Sequence, residues 1–76
     1  MNRIRRQQLS KLMEKLAELK DELEALKEEE EDYRDNIPEN LQGSERYEQA
    51  EEACDNLDSA FDGLEEVISY IEEATA

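Results

Sequence analysis

Two features of this chain could carry chemistry. One is Cys54, its single thiol; the other is the acidic run Glu28-Glu29-Glu30-Glu31-Asp32. A cysteine acts as a nucleophile through its thiolate, which needs a neighbouring base or positive charge. The chain has no histidine, and no lysine falls on the helix face that Cys54 would share. One thiol without histidine also cannot build a zinc site. The acidic run could gather cations, but it lacks the Asp-x-Asp-x-Asp-Gly spacing of a calcium loop. It reads as a solvated helix face. There is no glycine-rich phosphate loop. Carboxylates on an exposed helical rod have no cause for the shifted pKa that acid–base catalysis needs. The sequence therefore predicts a protein that is not an enzyme, with no catalytic residue, cofactor site or metal site.

The composition narrows the remaining classes. Seventy-six residues carry 23 acidic and 9 basic side chains, a net charge of −14, so 42% of residues are charged and only 37% apolar. A single domain of this size has a marginal core and little material for a substrate pocket. No run of about 18 apolar residues exists, so no membrane span is expected. The basic start, Arg3, Arg5 and Arg6, is interrupted at once by Gln7, Gln8, Ser10 and Lys11, unlike a secretion signal. A cytoplasmic protein is expected. The negative charge argues against direct binding of nucleic acid, whose phosphates need basic side chains, and against anionic membranes. It permits a protein partner with a basic surface. High charge with few aromatics is also a signature of disorder, and the residue pattern must decide.

The pattern is helical. Leu9, Leu12, Leu16, Leu19, Leu23 and Leu26 follow alternating steps of three and four, and Tyr33 and Ile37 keep the same phase. Tyr47, Ala50, Cys54, Leu57, Phe61, Leu64, Ile68 and Ile71 repeat the spacing. Both stretches read as heptads with apolar a and d positions. Pro38 disfavours helix at Ile37. Gly43-Ser44 offers a fresh N-cap. The expected elements are helix 1 over about 2–35, a loop over about 36–43, and helix 2 over about 44–74. So short a loop makes the helices antiparallel. The predicted fold is all-α: a single two-helix hairpin with coiled-coil packing, and the pattern also allows a dimeric four-helix bundle. Folding the chain near residue 40 sets Leu26 against Cys54 and Leu19 against Phe61. It also brings the basic e positions of helix 1 to the acidic e positions of helix 2, with Lys27–Glu51, Lys20–Asp58 and Arg6–Glu72 as expected ion pairs.

Two surfaces of helix 2 remain. Glu52, Asp55, Asp62, Glu66 and Glu73 form an acidic strip about 30 Å long, at about 1.5 Å of rise per residue. Residues 36–76 hold 12 acidic and one basic side chain, a net of −11, against −3 for residues 1–35. Such a strip can imitate a nucleic-acid backbone and occupy a basic groove; equally, it keeps the rod soluble. Ala53, Ala60, Val67 and Ala74 make an apolar row at the g positions. A second helix can dock there, because an apolar face three positions wide suits a bundle; the stems of Gln8, Lys15, Glu22 and Glu29 can also cover it. Gly63 sits mid-helix, where tolerance or a close backbone approach would each account for it.

The segment Ile37-Pro38-Glu39-Asn40-Leu41-Gln42-Gly43-Ser44-Glu45-Arg46-Tyr47, with Glu48 to Ala53 after it, resembles the linker of short acidic two-helix proteins from phages and mobile elements of Gram-positive bacteria. The resemblance covers about 17 residues and carries no defined activity. It implies a phage or prophage accessory protein in a bacterial cytoplasm; by analogy with other small acidic proteins of this kind, the expected role is to bind and modulate or inhibit a host protein. A nucleic-acid-binding defence factor such as a CRISPR effector fits the acidic surface, and the protein would then be an anti-CRISPR. The alternative is a structural oligomerisation or adaptor coil whose charge is incidental.

Overall fold

The computed structural model describes all 76 residues as an antiparallel hairpin of two long helices. Helix α1 spans Arg3–Asp35 and helix α2 spans Glu45–Thr75, joined by a single 3₁₀ turn at Glu39–Leu41. The ends follow from local chemistry. The Asn2 carboxamide oxygen accepts the Arg5 amide at 2.7 Å, and the Ser44 hydroxyl accepts the Tyr47 amide at 3.3 Å. These side chains satisfy amides that have no partner within their own helix. Pro38 lacks the N–H that would extend α1, so the chain leaves the helix axis. It closes the turn through the Leu41 amide to the Pro38 carbonyl at 2.8 Å, and the Ser44 amide to the Leu41 carbonyl at 3.0 Å.

The molecule is a rod of 59 × 15 × 13 Å with a radius of gyration of 17.4 Å. A compact chain of this length would have roughly 11 Å. Its core is accordingly a seam, and only Ile37, Ala50 and Cys54 are buried. All three lie at the loop end.

Two expectations are corrected. The first concerns register. The Phe61 ring lies under both Lys20 and Lys27, with the ammonium groups 5.5 and 5.1 Å from its centroid. Phe61 is therefore level with Leu23 and Glu24, not with Leu19. The hairpin holds one interhelical ion pair, Lys27–Asp58 at 2.9 Å; Lys27–Glu51, Lys20–Asp58 and Arg6–Glu72 do not form. On the same register Cys54 is level with Glu30 and Glu31, not with Leu26. The helices are displaced by about one turn, or roughly 6 Å. The cause is the loop: it does not fold symmetrically about residue 40. Ile37 is buried, and the first turn of α2 overhangs the end of α1.

The second correction concerns the face of α1. Leu12, Leu19 and Leu26 were expected inside the seam, yet they are 44%, 53% and 58% exposed. Helix α1 instead presents Leu9, Met13, Leu16, Lys20, Leu23 and Lys27, all half-buried. It is rotated toward its basic row, where the lysine stems cover the Phe61 ring while their ammonium groups stay wet. Helix α2 packs through the expected rows, with Leu57, Phe61, Leu64, Ile68 and Ile71 half-buried.

Candidate functional site

The acidic strip is built by the regularity of α2. Glu52, Asp55, Asp62, Glu66 and Glu73 recur at steps of three, seven, four and seven residues along one side, and each is exposed. None belongs to an ion pair; the two ion pairs of the molecule engage Asp58 and Asp35. The strip's one side-chain contact is the Tyr70 hydroxyl donating to Glu66 Oε1 at 3.4 Å. The charge of α2 is thus less neutralised than the sequence suggested, since one interhelical pair forms where three were expected.

Of the apolar row, Ala53 is half-buried, while Ala60, Val67 and Ala74 are exposed. The structure adds what sequence reasoning missed. Arg46 of α2 stacks on the Tyr33 ring of α1, with its guanidinium 5.2 Å from the ring centroid. Its Nε also donates to the Tyr33 hydroxyl at 2.6 Å. Tyr33 continues the row of Leu12, Leu19 and Leu26, and Arg46 begins the row of Ala53, Ala60 and Val67. The exposed leucines of α1 and the small apolar residues of α2 therefore border each other on one side of the hairpin. The next row outward on α2 is Gln49, Asn56, Gly63 and Tyr70, and none of the four carries a charge. The sequence held a signal for this: two adjacent helix rows free of acid in a segment of net charge −11.

Cys54 is 1% exposed. Burial pushes its thiol above the usual range, and the positive charge of Arg34 opposes this only in part. It is a small apolar core residue with no activating base. Lys27 is held above its usual range by the hydrogen bond to Asp58, and Arg34 by its hydrogen bond to Asp35. No three acidic or thiol side chains converge to hold a metal ion, and no helix is long and apolar enough to cross a membrane. Three shallow depressions, all open to solvent, mark the surface; the largest is lined by Arg3, Arg6, Gln7, Ser10 and Lys11.

No known protein family, no curated protein and no solved structure matches this chain.

Proposed function

We propose that the protein acts by binding, and that the outer side of α2 engages a basic surface on a host protein that itself binds nucleic acid. The observation that supports this is the strip Glu52, Asp55, Asp62, Glu66 and Glu73: five exposed carboxylates on a straight rod, with no counter-charge supplied by the chain. Lysine or arginine side chains spaced along a groove would neutralise them, as they would a phosphate backbone. Such a protein modulates or inhibits its target by occupying the groove, consistent with the phage resemblance of the linker and with a defence factor as target.

The test is affinity capture from a Gram-positive bacterial lysate at low and high salt, using the parent chain and a variant carrying Glu52→Lys, Asp55→Lys, Asp62→Lys and Glu66→Lys. The expected partner is basic, elutes with salt and is absent from the variant capture. A partner retained by the variant and indifferent to salt overturns the reading.

A second reading is an oligomerisation or adaptor coil, and the exposed leucines of α1 favour it. On that reading Ala60→Glu and Val67→Glu abolish assembly and function together, while the charge reversal leaves both intact.

A further inference from the structure

We propose that two copies of the hairpin pair head to tail across the side formed by Leu12, Leu19 and Leu26 of α1 and Ala60 and Val67 of α2, closing an antiparallel four-helix bundle. This rests on residues other than the acidic strip, and it stands or falls separately from the reading above.

The first support is the surface itself. Three leucines about half exposed, in one line beside Val67 at 46% exposure, form a continuous apolar stripe in a chain that is 42% charged. Stripes of this kind mark contact surfaces. The hairpin's 59 and 15 Å extents make this side a long, narrow face, matched in shape by the same side of another copy. A second hairpin covers it end to end.

The second support is charge, which also fixes the direction. Residues 1–20 hold six basic and two acidic side chains, a net of +4; residues 21–35 hold two basic and nine acidic, a net of −7. Helix α1 is thus positive at its start and negative at its end. Beside the leucine stripe the rows follow this change, with Lys11, Lys15 and a single acid, Glu18, on one half and Glu22, Glu29 and Asp32 on the other. Laid antiparallel on its own copy, α1 sets each positive half on a negative one. Lys15 then falls opposite Glu22 of the other copy, and Arg5 and Arg6 lie over the end of the acidic run, at Asp32 and Glu31. A pairing with both loops at one end would lay the −7 half of α1 on the acidic start of α2, where repulsion opposes it. The antiparallel pairing also brings α2 against α2 through its charge-free rows, and it leaves the acidic strip outside.

The position of the two-fold axis follows. Lys27 pairs with Asp58, so Leu19, eight residues earlier, is nearly level with Val67, nine residues later. The axis passes near this pair, at the middle of α1. Leu12 of one copy then borders Leu26 of the other.

The test is the mass in solution by sedimentation equilibrium, with crosslinking for direction. The parent chain is expected at twice its 8.9 kDa, and Leu19→Glu at the single-chain mass with unchanged helicity. Lys15→Glu weakens the dimer at least tenfold, and the double variant Lys15→Glu with Glu22→Lys restores it. In a Cys54→Ala background, chains with Leu12→Cys crosslink to chains with Leu26→Cys, and neither crosslinks to itself. A single-chain mass for the parent at several hundred micromolar overturns the proposal. So does a Leu12→Cys chain that crosslinks only to itself, or a double variant no better than Lys15→Glu alone.

Discussion

Arg46 and Tyr33, thirteen residues apart in the chain, clasp the two helices at the loop end, with the guanidinium lying over the ring and Nε donating to the hydroxyl at 2.6 Å. This contact fixes which rows of the two helices are neighbours. Removing the hydroxyl alone, in Tyr33→Phe, keeps the stacking and is expected to cost about 0.5 kcal/mol. Arg46→Ala loses both interactions and is expected to cost about 1 kcal/mol. Urea unfolding measured on both variants, at one protein concentration, checks the order.

Lys27 joins the helices by an ion pair and by its place over Phe61. The hydrogen bond that Lys27 donates to Asp58 raises its pKa in the folded state, so its contribution is present below the unfolded lysine pKa and is lost as pH climbs through the folded one. Thermal midpoints should fall above about pH 10. Lys27→Met keeps the stem over the ring and should lower the midpoint near neutral pH while flattening that alkaline limb. An alkaline limb identical in the variant would show that other groups control it.

Cys54 gives a second alkaline signature of the same sign. Burial raises its pKa, so the thiol stays protonated in the fold, and stability is lost as pH rises through its folded value. Iodoacetamide should modify it at the rate of hairpin opening, with urea accelerating the reaction. Cys54→Ser places a hydroxyl in the same buried position and is expected to cost about 1–3 kcal/mol. Fast modification of the folded protein at neutral pH would contradict this placement.

Gly63 separates the free hairpin from the bundle. Within one chain, a Cβ added there meets nothing within 4 Å. Gly63→Ala in a Leu19→Glu background is therefore expected to stabilise the helix by about 1 kcal/mol. In the parent, Gly63 lies one turn from Val67, close to the two-fold axis, where helix backbones approach. There the same substitution is expected to weaken dimerisation. Urea titration of the first variant and sedimentation of the second measure the two effects.

Much of the fold was legible because its signals are local. Steps of three and four from Leu9 to Leu26 and from Tyr47 to Ile71 need no tertiary knowledge to read as helices, and Pro38 and Ser44 bound the turn by backbone chemistry alone. Register and face were not legible. They depend on how Ile37 is buried, and on whether the stems of Lys20 and Lys27 cover Phe61 better than Leu19 would. Both choices are made between elements, and heptad spacing is compatible with either. The acidic strip was visible because exposure follows directly from its charge. The leucine stripe was hidden because leucine at a d position is ordinarily read as core.

Burial is confined to Ile37, Ala50 and Cys54, so the rod is not equally firm along its length. Away from the loop the helices are held by half-buried side chains, and the far end opposes the helix dipoles: no acid stands in the first turn of α1 and no base in the last turn of α2. The hairpin is a pair of forceps hinged at the turn. Amide hydrogen exchange should be slowest around Ala50 and Cys54 and quicken steadily toward both termini, and a second hairpin laid head to tail would set each firm hinge against the other's loose tips.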